Sequence, residues 1–167
     1  MQRRFFLAFL LLLAGCAAVP VAPPRPAPAG ITQFALIGRL AVSQGPTRHH
    51  VSIDWRHTPQ ADVILLSTPL GQGVAELTRD ASGARLILAD GRQRVADDWN
   101  ALAREVLGVP LPLNDAARWL LGDLADTGGW RVSILERQAQ DGLPAQIELE
   151  RDDIVVRLKI DEWLEAK

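Results

Sequence analysis

The sequence predicts an α+β fold, a curled antiparallel sheet of about nine strands with two short helices inserted near residue 100. Three observations carry this. Apolar and polar residues alternate from residue 33 to residue 95. Between residues 97 and 122 the apolar spacing becomes helical. After residue 130 the alternation returns. Strands joined by short turns form an antiparallel meander, and a sheet of this size curls. The helices then have its concave face to lie on.

The first predicted strand, residues 33–44, places Phe34, Leu36, Gly38, Leu40 and Val42 on one face, with Arg39 and Ser43 on the other. Gly45 and Pro46 end it. Residues 48–56 alternate Val51, Ile53 and Trp55 with His50, Ser52, Asp54 and Arg56. Further strands are read at 62–68, 73–79 and 84–89. Asp90-Gly91 is a hairpin signal leading into 92–95.

Residues 97–107 carry Trp99, Leu102, Ala103, Val106 and Leu107 at helical spacing, with Asp97 read as the N-cap and Gly108 as the stop. The run 109–113 (VPLPL) cannot continue that helix. Asn114 is read as the cap of a second, which buries Ala117, Leu120 and Leu121 and stops at Gly122. Both helices are too short to stand alone. Strands follow at 130–136, 146–150 and 154–161, the last two joined by a turn at Arg151, Asp152 and Asp153.

Two features point to surplus apolar surface. The chain has five tryptophans and no tyrosine. They serve either core packing or a cavity lined by indoles, and the sequence does not separate the two. Ile37, Ile64, Leu66, Ile87 and Val155 are read on the face opposite the main apolar set. Two helices are too few to cover both faces of the sheet.

The N-terminus reads as a targeting segment. Arg3 and Arg4 precede an apolar run at 5–13, too short to span a bilayer, which needs about 20 residues. Leu13-Ala14-Gly15-Cys16 resembles the bacterial lipobox. The resemblance implies cleavage after residue 15 and lipidation of Cys16. Cys16 is the only cysteine, so no disulfide is available. Residues 16–30 then form the lipidated cysteine and its tether, with prolines at 20, 23, 24, 26 and 28. A Pro-rich stretch of this kind is extended, at roughly 3 Å per residue. Residues 31–167 form one folded domain.

Charge and motifs exclude other classes. The net charge is −2, and −4 once Arg3 and Arg4 depart, with no basic block to bind nucleic acid. There is no GxSxG, HExxH, P-loop or GxGxxG. His49 and His50 are adjacent in a strand and point to opposite faces, so they cannot share a metal locally. Asp97-Asp98 and Asp152-Asp153 are explained by a helix start and a turn. The reading is therefore not an enzyme, with no cofactor.

The turn "STPLGQG" is unusual, because Leu70 sits between Pro69 and Gly71, where turn tips favour small polar residues. Buried against the core, Leu70 is an ordinary packed turn residue. Exposed, it forgoes about 1.5–3 kcal/mol of burial that a lipid surface can return.

The ordered set of segments resembles the LolB family of outer-membrane lipoproteins. It comprises the lipobox, Gly38 to Val42, Ile53-Asp54-Trp55, Thr68-Pro69-Leu70-Gly71, Asp90-Gly91, Ala96-Asp97-Asp98, Gly108 to Leu113, Arg118 to Gly122, and Leu158 to Trp163. The resemblance implies an incomplete antiparallel β-barrel of about 9–11 strands, with a two-helix lid over an apolar cavity. The family's count is eleven, and the stretch 130–144 is shorter here. It also implies a role: accepting lipoproteins from the periplasmic carrier LolA by their acyl chains and inserting them into the outer membrane, without ATP. Ala17 after the lipidated cysteine agrees with an outer-membrane address, lipid-anchored on the periplasmic face. The partners implied are a LolA-type carrier, client lipoproteins and outer-membrane phospholipid, for a monomer. Leu70 matches the family's membrane-targeting leucine, with Pro69 and Gly71 shaping its tip. The acyl-chain cavity is expected to be lined by Leu36, Leu40, Val51, Ile53, Trp55, Leu102, Val106, Trp119 and Leu120. The alternative is an envelope structural or assembly lipoprotein whose β-domain binds protein partners without a lipid ligand.

Overall fold

The structure is a computed structural model describing residues 30–166. The expected signal peptide, Cys16 and the expected tether up to residue 29 lie outside the described residues.

Nine strands form one open antiparallel sheet: β1 (Phe34–Gln44), β2 (Thr47–His57), β3 (Asp62–Ser67), β4 (Gly73–Asp80), β5 (Gly83–Leu88), β6 (Gln93–Ala96), β7 (Arg131–Arg137), β8 (Pro144–Arg151) and β9 (Ile154–Ala166). Their order across the sheet is β6-β5-β4-β3-β2-β1-β9-β8-β7. The count is the nine read from alternation, not the family's eleven. Two meanders, β1–β6 and β7–β9, meet where β1 pairs with β9, and β6 and β7 remain as edges. The sheet is open, as an incomplete barrel requires.

The β1–β9 seam is the longest pairing, from Phe34 opposite Ala166 to Gln44 opposite Ile154. Its register shifts between Ala35 and Leu36 and again between Ile37 and Gly38. Such bulges bend a strand and add twist. Gly38 is required at the second: a Cβ there would lie 2.4 Å from the backbone oxygen of Lys159. The extra residues let β9 run to Ala166, past the end at residue 161 predicted from alternation.

The helices α1 (Trp99–Leu107) and α2 (Leu113–Leu120) lie on one face of the sheet. α1 packs on β4, β5 and β6, and touches α2. The N-cap of α1 is Asp98, not Asp97. Asp98 has the extended backbone a cap needs, and its carboxylate accepts from the Asn100 amide at 2.9 Å. The second predicted cap is also corrected. α2 starts two residues earlier than a cap at Asn114 would allow, with Pro112 at the cap position and no side-chain cap bond. Instead Asn100 of α1 accepts from the Leu113 amide at 2.8 Å, so one helix satisfies the start of the other.

Ile64 and Leu66 are also corrected. They face the helices and are only 2% exposed each. Four consecutive apolar residues, Val63 to Leu66, give period two no phase, and pairing decides it. Ile64 lies opposite Trp55, and Leu66 opposite Ile53, both inward. The outward residues of β3 are Val63 and Leu65, and both are exposed.

Every strand pairing and the whole described core lie between Phe34 and Ala166. The segment from residue 30 onward is therefore a folding unit with its own core.

Candidate functional site

Three features stand out: a loop tip, an apolar seam beneath α2, and a buried polar knot under α1.

The tip joins β3 to β4. The Gly71 amide donates to the Thr68 carbonyl at 2.8 Å, and the Thr68 amide donates to the Gln72 carbonyl at 2.8 Å. The Gln72 amide also reaches the Thr68 hydroxyl at 3.2 Å. Gly71 has φ +85, while Pro69 and Leu70 keep negative φ. This is a three-residue hairpin loop, a type I turn followed by a left-handed residue. Pro69 sits where φ near −65° is wanted, and glycine takes the one left-handed position. Leu70 occupies a place any residue tolerates, so its presence needs no backbone accommodation. Its side chain is 91% exposed, the most open large hydrophobic of the described residues. Pro69 and Gly71 are exposed beside it.

The apolar seam lies between α2 and the inner face of the sheet. Leu111, Pro112, Leu113, Ala116 and Leu120 face Leu40, Ile53, Trp55, Ile147, Leu149, Val156 and Leu158 across a gap of about 40 Å³. No polar side chain lines it. An apolar cavity of about 150 Å³ is what a benzene-sized guest occupies. An acyl chain is larger, so it enters here only if α2 moves away from the sheet.

A buried polar knot lies at the other end, under α1. Asp62 is 2% exposed. Its Oδ1 accepts from Trp55 Nε1 at 2.9 Å and from His57 Nδ1 at 2.7 Å. Its Oδ2 accepts from Arg79 Nε at 2.9 Å and from Arg79 Nη2. Burial pushes the Asp62 carboxyl up, but the hydrogen bonds from His57, Trp55 and Arg79, with the charge of His57, outweigh it and hold it below the ordinary aspartate value. Phe34 packs on Trp55, His57 and Trp163 with ring centres 5.0–5.5 Å apart. The knot joins β2, β3 and β4 and is structural in character. Nothing in the alternation pattern marked Asp62 as buried.

Comparison with known proteins identifies the family. The family model described as outer membrane lipoprotein LolB matches residues 32–163. The chain belongs to the LolB family. Among relatives named outer-membrane lipoprotein LolB, that of Chromobacterium violaceum is 33% identical, over 97% of this chain and 98% of its own length. That of Dechloromonas aromatica is 33% identical, over 99% and 100%. That of Nitrosomonas europaea is 34% identical, over 96% and 92%. The LolB match takes in the Leu70 loop, both helices and β9 as far as Trp163.

The residues expected at a LolB-type cavity fall into three groups. Leu40, Ile53, Trp55 and Leu120 meet at the apolar seam. Leu36, Leu102 and Trp119 are buried in the core away from it, and Val106 is partly buried against that core. Val51 is partly buried and borders a depression on the outer face. Residues that the sequence does not assign to a cavity contribute most of the seam: Leu111, Leu113 and Ala116 from the helical side, and Ile147, Leu149, Val156 and Leu158 from β8 and β9. The signal that finds the strand residues is inward phase on β9, which pairs with β1, and on β8 beyond it. That requires knowing that the C-terminal meander closes onto the N-terminal strand.

Of the five tryptophans, Trp55, Trp99, Trp119 and Trp130 are buried and Trp163 is half-buried. Only Trp55 borders the seam. Trp119 Nε1 donates to the Asp126 carbonyl at 3.1 Å, and Trp163 Nε1 to the Pro144 carbonyl at 2.9 Å. The indoles mostly fill core. Among the described residues no helix is long and apolar enough to cross a membrane.

Proposed function

We propose that this LolB-family protein accepts lipoproteins from a LolA-type periplasmic carrier and inserts them into the outer membrane. It does so as a lipid-anchored monomer on the periplasmic face, with Cys16 acylated and residues 17–30 as its tether. The acyl chains of the client enter between α2 and the sheet, at the seam centred on Leu40, Ile53, Trp55 and Leu120. Each acyl CH₂ kept from water is worth about 0.8 kcal/mol, so a bare client does not cross the periplasm. Leu70 dips into the bilayer and places the seam beside it.

The observation that carries this reading is the 91% exposure of Leu70 at the tip of a hydrogen-bonded hairpin. A leucine held out by its own turn gains nothing from the fold and gains from a lipid surface. The deciding experiment supplies a carrier–lipoprotein complex to the protein in the presence of liposomes. Capture followed by appearance of the client in the liposomes supports the reading. Capture that is absent sinks it. Leu70→Glu is expected to preserve capture and impair delivery. Delivery at the normal rate by that variant removes the membrane role of the tip.

A further inference from the structure

We propose that the outer face of β1 and β9 beside the Leu70 loop binds anionic phospholipid headgroups. The inference rests on Leu70 entering a bilayer, and adds which lipids the surface around it selects.

The loop does not stand free of the sheet. Pro69 borders a depression of about 440 Å³ on the face away from the helices, with Arg39, His50, Arg157 and Lys159 around it. The register explains the cluster. Arg39 lies opposite Lys159 across the β1–β9 pairing, and Ala41 opposite Arg157, so three cations of two adjacent strands share one face. His50 joins them from β2, opposite Ala41. No carboxylate lines this depression, in a chain that carries more acidic than basic side chains.

Two of the cations have carboxylate partners off to the side. Arg39 donates to both oxygens of Asp161, at 2.6 and 3.1 Å, and Arg157 donates to Glu148. Asp161 lines the neighbouring groove instead, and Glu148 is only 13% exposed. The arginines remain open to solvent, at 63% and 60%. Lys159 is exposed and makes no ion pair among the described residues. The depression therefore presents cations outward.

Its occupant follows from that charge and from continuity with the tip. Once Leu70 enters the apolar layer, a face bordered by the neighbouring Pro69 stands at headgroup depth. Phosphate and other anionic headgroup oxygens are the partners these cations take. A cation near an anionic bilayer contributes about fivefold in affinity, and less in salt.

The test uses the segment from residue 30 to residue 167, which carries the complete described core. Its binding to vesicles of phosphatidylethanolamine and phosphatidylcholine is compared with binding to the same vesicles containing phosphatidylglycerol. The unaltered protein is expected to bind the anionic vesicles more tightly, with the difference fading in high salt. Lys159→Gln is expected to lower affinity for anionic vesicles about fivefold and leave neutral vesicles unchanged. Arg104→Gln removes the same charge from the exposed face of α1 and is expected to change neither. Leu70→Ser is expected to weaken binding to both vesicle types. If Leu70→Ser binds both normally, the membrane reading itself falls. If Leu70→Ser loses binding but Lys159→Gln treats both vesicles as the unaltered protein does, the headgroup proposal alone is overturned. Normal vesicle binding by Lys159→Gln with defective acceptance from the carrier assigns the patch to a protein partner and also overturns it.

Discussion

The guanidinium of Arg79 lies over the indole of Trp99, 5.5 Å from the ring centre. Arg79 is a strand residue and Trp99 opens α1, so one side chain joins helix to sheet. Its N–H edge donates to Asp62, which is itself held by Trp55 and His57. The buried Nε1 of Trp99 meets no acceptor among the described residues, so the ring is held by packing and the cation alone. α1 is thereby tied to the sheet by a polar knot, whereas α2 meets the sheet through apolar side chains.

Asp62 should carry much of that fastening. Asp62→Ala leaves the Arg79 charge and two N–H donors without their acceptor, and is expected to cost about 3–5 kcal/mol in urea unfolding. Asp62→Asn keeps an acceptor oxygen and should cost less. The folded carboxyl titrates below its ordinary value. Its contribution is therefore full above the unfolded value, about 3.9, and is lost as pH falls through the folded one. The stability gap between the unaltered protein and Asp62→Asn should narrow as pH falls below the ordinary aspartate value of about 3.9. A gap that widens in acid contradicts the assignment.

At the β1–β9 seam, Gly38→Ala sets a Cβ against the Lys159 backbone oxygen, which no side-chain rotation relieves. The expected cost is about 1–3 kcal/mol or more. Gly73→Ala is the matched comparison, since no atom lies within 4 Å of its added Cβ. It should be near neutral. Equal losses in chemical unfolding would show that the close approach is not what Gly38 serves.

Much of this fold was readable because most strands on their own carry a phase. Val51, Ile53 and Trp55 alternate with polar neighbours, and their inward face follows directly. Val63 to Leu66 carry no phase, and there only the pairing with β2 settles which residues go in. Asp62 was unreadable for a different reason. A buried carboxylate is licensed by donors at positions 55, 57 and 79, which become neighbours only in the folded sheet. The seam was half legible on the same principle. Leu40, Ile53 and Trp55 lie on adjacent strands, while Ile147, Leu149, Val156 and Leu158 join them through the closure of the chain's two ends.

The tip separates two roles that adjacent residues carry. Leu70→Ser should leave stability within about 0.5 kcal/mol, because the side chain touches little of the fold. Gly71→Ala meets no atom, yet it forces a left-handed backbone on alanine. The expected cost is about 1–2 kcal/mol, with the leucine displaced from its presented position. Thermal unfolding with vesicle binding on both variants distinguishes them. Leu70→Ser should lose binding at full stability, and Gly71→Ala should lose some of each.

The seam beneath α2 makes the last prediction. Its gap of about 40 Å³ is too small for an acyl chain, so the proposed acyl-chain binding includes the cost of lifting α2. That cost is set by the apolar contacts of Leu113 and Leu120 with the sheet. Leu120→Ala removes part of them and enlarges the space in one step. Stability should fall by about 2–5 kcal/mol. If opening limits acceptance, affinity for a fluorescent fatty-acid probe should nevertheless rise, because the guest fills space already vacated and displaces a weaker contact. A fall in probe affinity parallel to the loss of stability would make Leu120 a contact of the bound chain rather than a bar to its entry. Unchanged affinity would remove α2 from the path altogether. The two measurements, urea unfolding and probe titration on the same preparation, separate these outcomes without a client lipoprotein.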